Sequence, residues 1–378
     1  MQFEVDVAPK STNSAIEQQG NRRNIQKKKK LNIKIVVMML TLDSEGFFKQ
    51  GVLTSLKKAL GRYDYNLVIV DGGSRDGTLE EISNVFGTAI TKLVFRERNL
   101  ALCRNLALKK APKYADYYCW VDSDIIVPRN FFTRLIPLFK DKSVGTAEIR
   151  ALLGQGNVKS IISKYYENLR GVSPTGVKEA EGGATTCLIM RSEIAQKVRA
   201  DPRFKRAGED VSIHYQVNEM GYKTIGDFNK PYARHVREPS FREEVRRLVQ
   251  RGEARSLNIK LHKDVIRTGG VGKALLSSVI TFACWILLFY GGLSLLIPFF
   301  VPAIPIPVWL TTLVPSILTT NRIRLAIAFG PILLLLARHA VKLKKPWKLH
   351  LAFAGLILST SYLLGFMKGF LKYWVFRV

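Results

Sequence analysis

Through the first two thirds of the chain, short apolar runs alternate with stretches of helical periodicity. "IKIVVMML" (33–40), "NLVIV" (66–70), "TKLVF" (91–95) and "YYCWV" (117–121) are continuous apolar runs of strand length. This is the pattern of strands buried on both faces. Residues 45–60, 78–86 and 99–110 carry apolar positions at helical spacing. Strands alternating with helices predict a parallel α/β sheet. "GATTCLIM" (183–190) predicts a further strand, with "GTAEIRALL" (145–153) a second candidate. "EDVSIHYQVNEMG" (209–221) has helical spacing and closes on a glycine. Residues 240–263 predict a long basic helix, with Phe241, Val245, Leu248 and Val249 on one side and arginines crowding the other. Such a helix lies on a membrane surface or packs on a domain with its cationic face solvated.

The pattern changes beyond the basic helix. Residues 274–301 contain no charged residue and exceed the roughly 20 residues needed to cross a bilayer. "PAIPIPVWLTTLVPSILTT" is apolar but cut by prolines, and "LAIAFGPILLLLA" follows it. "LHLAFAGLILSTSYLLGFM" comes after the basic loop "RHAVKLKKPWK". Placing that loop in the cytoplasm gives three spans by the positive-inside rule, with four as the alternative. Three spans put the C-terminus outside although it carries Lys368, Lys372 and Arg377. The predicted organisation is a disordered basic tail (1–30) with no secretory signal, an α/β domain ending in the basic helix (31–263), and an α-helical transmembrane region (264–378).

Charge sharpens this picture. Against 30 Asp and Glu stand 58 Lys and Arg, a formal net charge of +28. Nucleic acid and an anionic membrane are the two partners such a balance suggests. The apolar C-terminal third selects the membrane, and no nucleic-acid-binding motif appears. Four scattered cysteines without a CxxC pair make neither a zinc site nor a disulfide framework.

Ligands of parallel α/β sheets bind beyond the carboxyl ends of the strands. Two motifs fall there. In "VDSD", Asp122 and Asp124 interrupt an apolar run. Two carboxylates so close repel and resist burial. They are either solvated in a turn or hold a hard divalent cation, with a diphosphate completing its shell. In "VDGGSRDGT" (70–78), Gly72 and Gly73 allow a tight turn, Asp71 stands at the strand tip, and Asp76-Gly77-Thr78 caps the next helix. Asp210 follows Gly208 at a helix start, where a carboxylate suits the helix dipole or serves as a base.

Taken in order, "IKIVVMML" with Glu45 after it, "VIVDGGSRDGT", "RNLALCRNLAL", "VDSD", "GGATTCLIMRSE", "GEDVSIHYQVNEMGYK" and "RHVREPSF" resemble the family-two inverting glycosyltransferases over about residues 31–260. The resemblance implies a GT-A fold, a Rossmann-like, mostly parallel sheet. It implies that Asp71 contacts the nucleotide base, with Glu45, Arg104, Asn105 and Asp122 also on the donor side. Asp122 and Asp124 would bind Mg2+ or Mn2+ and the sugar diphosphate, with His235 completing the metal shell. Asp210, with Glu209 beside it, would deprotonate the acceptor hydroxyl. The glycines after Glu181 look like an acceptor-side loop, and Arg246, Arg247 and Arg251 are candidates for a phosphate. Two positions depart from the family pattern: Asp43 stands where Asn is usual and Gly72 where a second Asp is frequent. A Gln-x-x-Arg-Trp signature is absent, which argues against a processive synthase.

The function so implied is a membrane-anchored, multi-pass enzyme with a cytoplasmic catalytic domain. It would move a sugar from a nucleotide-diphospho-sugar to a lipid-linked or growing glycan. A polyprenyl (dolichyl)-phosphate glycosyltransferase is the alternative within the enzymes. A non-catalytic membrane scaffold is the alternative outside them.

Overall fold

A computed structural model describes residues 5–6, 31–152, 160–169, 175–180, 186–262, 333–344 and 348–376, with isolated positions at 281, 283, 285, 286, 330 and 346. All but two residues of the predicted basic tail, the loop at Glu181, and nearly all of the predicted spans from 274 to 332 lie outside the described residues. The chain forms two compact units: Met1–Asn157 with Ser173–Glu238, and Val158–Val172 with Pro239–Val378. The basic helix therefore groups with the second unit.

The strands in chain order are β1 (Val5–Asp6), β2 (Lys34–Thr41), β3 (Asp64–Asp71), β4 (Ile90–Val94), β5 (Tyr117–Val121), β6 (Ile125–Ile126), β7 (Val144–Ile149), β8 (Ala151–Leu152), β9 (Val177–Glu179), β10 (Cys187–Arg191), β11 (Lys223–Asp227) and β12 (Ala233–His235). The helices are α1 (Glu45–Phe48), α2 (Val52–Leu60), α3 (Thr78–Phe86), α4 (Leu100–Lys110), α5 (Phe131–Leu135), α6 (Ile161–Asn168), α7 (Ser192–Lys197), α8 (Glu209–Glu219), α9 (Phe241–Leu261) and, near the C-terminus, α10 (Leu349–Phe370).

In the first unit, nine strands make one sheet in the order β1-β4-β3-β2-β5-β10-β7-β11-β9. Its centre is the predicted parallel set: β2 pairs in parallel with β3 and β5, and β3 with β4. Ile35, Val37, Met39, Leu67 and Ile69 are buried in its core, as continuous apolar runs require. The sheet is not parallel throughout. β10 runs antiparallel to both β5 and β7 and so divides the parallel strands into two groups. A three-stranded sheet, β6-β12-β8, stands beside the end of β5. The helix predicted over 45–60 is broken into α1 and α2, because Gly51 adopts a left-handed backbone (φ 97°).

One consequence positions the site. Because β2, β3 and β5 run in parallel, their carboxyl ends at Thr41, Asp71 and Val121 open on the same edge of the sheet. Both acidic motifs lie there.

In the second unit, the capping box of Ser240 and Glu243 starts α9. Phe241, Val245 and Leu248 pack with Ile162, Tyr165, Leu351 and Leu358. The apolar side predicted for this helix is thus a core contact. Buried Glu244 accepts a 2.8 Å hydrogen bond from the Tyr166 hydroxyl, and the guanidinium groups of Arg247 and Arg251 each stand 3.7 Å from it. Those two arginines therefore serve an internal ion-pair cluster. One helix among the described residues, Leu349–Val375, is long and apolar enough to cross a membrane.

Candidate active site

The loops after β2 and β3 are laced together. Asp71 is buried, and its carboxylate accepts from Thr41 Oγ1 (3.0 Å), the N–H groups of Gly73 and Ser74 (2.8 Å each) and Ser74 Oγ (2.5 Å). These donors satisfy the acceptor positions of an ionised carboxylate. Asp71 thus holds the loop in shape. Asp43 adopts a left-handed φ of 47° and accepts from the Arg75 N–H. That conformation explains why Asp or Asn suits position 43. Glu45 accepts from the Gly77 N–H (3.2 Å) and pairs with Lys49 (2.5 Å). Glu45, like Asp71, thus makes a loop-holding contact. Ser44 Oγ reaches Ser123 Oγ at 3.1 Å and ties these loops to the acidic turn.

The acidic turn after β5 lies between two distant segments. Asp122 anchors it by donating its N–H to the Thr186 carbonyl. β12 pairs with β6 so that His235 stands opposite Ile125, next to Asp124. His235 Nδ1 is 3.4 Å from Asp124 Oδ2, across 111 residues of sequence. Sequence reasoning named both residues, and the β6–β12 ladder brings them together. Among the described residues, no group of three or more His, Cys, Asp and Glu side chains forms a ready-made metal site.

Beneath the turn is a buried polar floor. α4 is capped by Asn99, which also donates to the Pro202 carbonyl at 3.0 Å. Asn105 exchanges two hydrogen bonds with the Ala200 backbone (2.8 and 2.9 Å). These contacts fix the segment leading into α8. They give Asn105 a part in holding that segment. Gly208, at φ 89°, turns the chain into α8, and Glu209 and Asp210 form its first turn. The Arg104 Nε donates to Glu209 Oε1 at 3.0 Å, while its NH2 stands 3.7 Å from Asp122 Oδ1. The guanidinium lies over the Trp120 ring, 4.7 Å from the centroid. Arg104 is 5% exposed and Glu209 3%. Arg104 Nη1, Glu209 Oε2 and Trp120 Nε1 are buried without a hydrogen-bond partner.

This geometry separates roles that sequence reasoning grouped. Glu209 is buried and paired with Arg104. Arg104 lies under the acidic turn and joins it to α8. Asp210, half-buried beside them, is the carboxylate of the pair placed at the surface. Trp120 was missed. It precedes Asp122 by two residues, so the period of the strand puts both on one face, and that spacing was a readable signal.

The electrostatics follow from this packing. Burial raises the Asp122 carboxyl above its ordinary range, Arg104 opposes the rise, and Asp124 and Asp210 add to it. Burial and the adjacent Asp210 push Glu209 up to about 7, against the pull of Arg104. Crowded acidic groups at a strand end are electrostatically suited to a cation.

Residues 49–169 match the family model described as Glycosyl transferase family 2. Among solved structures, the mannosyltransferase PcManGT from Pyrobaculum calidifontis, in complex with GDP-Man and Mn2+, is similar at 13% identity. That match covers 91% of this chain and 90% of that one, with a TM-score of 0.52. S. aureus TarS is similar at 16% identity over 89% of this chain, with a TM-score of 0.45, and the match spans 55% of the TarS chain. TarS 1-349 in complex with UDP-GlcNAc gives 15% identity, 89% and 91% coverage, and a TM-score of 0.44. No curated protein sequence matches the chain. Residues 49–169 thus match a family-two glycosyltransferase domain, the fold is mixed α/β and GT-A-like, and together these support a glycosyltransferase.

Proposed function

We propose that this glycosyltransferase works by single displacement, with inversion at the anomeric carbon. The donor is a nucleotide-diphospho-sugar and the acceptor is a hydroxyl of a lipid-linked or growing glycan. The observation that carries the reading is the meeting of Asp122, Asp124, His235 and Asp210 around one strand end, over the Arg104–Glu209 floor. In this reading the loop held by Asp71 and Glu45 receives the nucleotide.

Asp122, Asp124 and His235 would hold Mg2+ or Mn2+. Two carboxylates and an imidazole are a donor set suited to either, with further positions left for diphosphate oxygens. When bound, the cation would supply Lewis-acid stabilisation of the leaving diphosphate. The Mn2+ in the PcManGT complex supports this choice. Asp210 takes the proton of the acceptor hydroxyl as it attacks. Its Oδ1 accepts from the Val211 N–H at 2.8 Å, which orients the carboxylate. A polyprenyl-phosphate acceptor would already be an anion and would need no base, so the Asp210 geometry favours the hydroxyl. In this reading the enzyme is attached to the cytoplasmic face of a membrane, chiefly through the uncharged segment 274–301.

A panel of UDP-, GDP- and dTDP-sugars, titrated into purified protein with and without Mn2+, tests the donor site. One donor is expected to bind with metal only, and Asp124→Ala to weaken it by more than about tenfold. Donor binding that ignores both metal and Asp124 would remove the metal from this reading.

A further inference from the structure

The C-terminal helix α10 runs beside a strongly charged helix. The contacts ascend together along both: Phe241, Val245 and Leu248 pack in the cluster of Leu351, Ala352 and Leu358. Further along, Gly252 meets Tyr362 and Phe366, Gly369 meets Glu253 and Ser256, and Trp374 Nε1 donates to the Ser256 carbonyl at 3.3 Å. α9 and α10 are therefore parallel neighbours over nearly their whole length. Glycines let the backbones touch. A Cβ on Gly252 would collide with the Tyr362 carbonyl, and one on Gly365 with the Val249 carbonyl. One on Gly369 would stand 2.6 Å from the Glu253 carbonyl oxygen. Charge closes the contact: Glu253 accepts from Lys368 at 2.9 Å and from Lys372 at 3.0 Å. The Lys260 ammonium donates to the Tyr373 carbonyl.

This packing bears on how α10 meets a membrane. α9 carries five arginines, Lys260 and three glutamates. A charged side chain at the centre of a bilayer is strongly disfavoured. α10 cannot cross the hydrocarbon as tightly packed here without carrying that charged flank with it. Away from α9, α10 shows a different face. Phe353, Leu364 and, just past its end, Leu371 are exposed at helical spacing, with Ile357 half-buried in the same stripe. Arg242 and Arg246 on α9 and Lys368 on α10 are exposed cations of the pair.

We infer that α9 and α10 form one parallel pair lying in the plane of an anionic membrane surface, with α10 not crossing it. The apolar stripe of α10 rests at the acyl boundary, and the cations of the pair meet lipid phosphates. Charge complementarity selects an anionic bilayer over a second apolar surface. The arrangement also resolves the conflict in the span count. α9 begins directly after the first unit ends at Glu238. Lys368 and Lys372, tied to Glu253, therefore stay on the side of the membrane where α9 lies.

The inference rests on the proposed membrane attachment, and one experiment separates the two. An environment-sensitive fluorophore is placed at Phe353→Cys, Leu364→Cys or Leu371→Cys, each at an exposed position. Cys284 is changed to serine; Cys103, Cys119 and Cys187 are buried. The full chain is reconstituted in mixed phosphatidylcholine and phosphatidylglycerol vesicles, floated, and quenched with nitroxide lipids of shallow and deep label position. The expected result is strong quenching by the shallow lipid at all three positions, weak quenching by the deep one, and less of both without phosphatidylglycerol. A depth profile with Leu364 deepest would mean that α10 spans the bilayer, and would overturn the inference. Quenching by aqueous iodide alone would also overturn it, leaving a free face or a second copy. Protein that does not float would overturn the attachment as well.

Discussion

Asp210→Asn is expected to lower the transfer rate by about 10³-fold, within the 10²–10⁴ range of general-base catalysis, while donor affinity holds. The substitution keeps the shape of the side chain and an oxygen to accept from the Val211 N–H. It removes the only property the proposed step requires, an available carboxylate base. Asp210 is not among the proposed metal ligands, so binding of donor and metal is expected to hold. Steady-state transfer beside donor titration measures both. A variant that keeps more than a tenth of wild-type transfer would take the base away from Asp210. It would favour an acceptor that is already an anion.

The second large effect is expected beneath the site. Arg104→Met leaves the buried Glu209 carboxylate without its partner, a loss of the kind that costs about 3–5 kcal/mol. The cost depends on pH, and its sign follows from the raised Glu209 value. The folded protein holds that proton up to about 7, whereas an unfolded chain releases it near the ordinary value of about 4.3. Glu209 therefore favours folding most below its unfolded pKa, and this contribution is lost as pH rises through about 7. Chemical denaturation of wild type should show stability falling across that window, and Glu209→Gln should flatten the fall. Arg104→Met should be destabilising at pH 8 and markedly less so at pH 6. Replacing both groups, Arg104→Met with Glu209→Leu, should recover most of the stability but not the activity, because Asp122 and α8 lose the link between them. A double variant with wild-type transfer would reduce the pair to packing alone.

Much of this architecture was legible in the sequence, because burial on both faces writes itself as unbroken apolar runs. β2, β3, β4 and β5 fall where those runs fall, and the acidic motifs fall at their ends. Features that depend on contacts between distant segments were less legible. The antiparallel entry of β10 is set by a long connection, not by any periodicity. Asp124 and His235 are joined only through the β6–β12 ladder, which two- and three-residue strands announce weakly. Family likeness supplied that pairing where spacing could not. Asp71 and Glu45 were read as donor-side residues, and their contacts within the loops were not foreseen, because an Asp or Glu near a strand end looks the same whether it meets a ligand or its own loop. Their donors, Thr41, Ser74 and the Gly77 N–H, become visible only when the loops close. The C-terminal helix was read as a span from its composition and is long and apolar enough to be one; composition says nothing of the charged helix lying beside it.

The most direct test of single displacement at Asp210 is the configuration of the product. With the donor found by titration and an acceptor sugar, proton NMR early in the reaction reads the anomeric coupling of the newly formed bond. A donor with an α-linked sugar should give a β-linked product from the first turnover. An α-linked product at early times would mean retention, and would contradict one base acting in a single displacement.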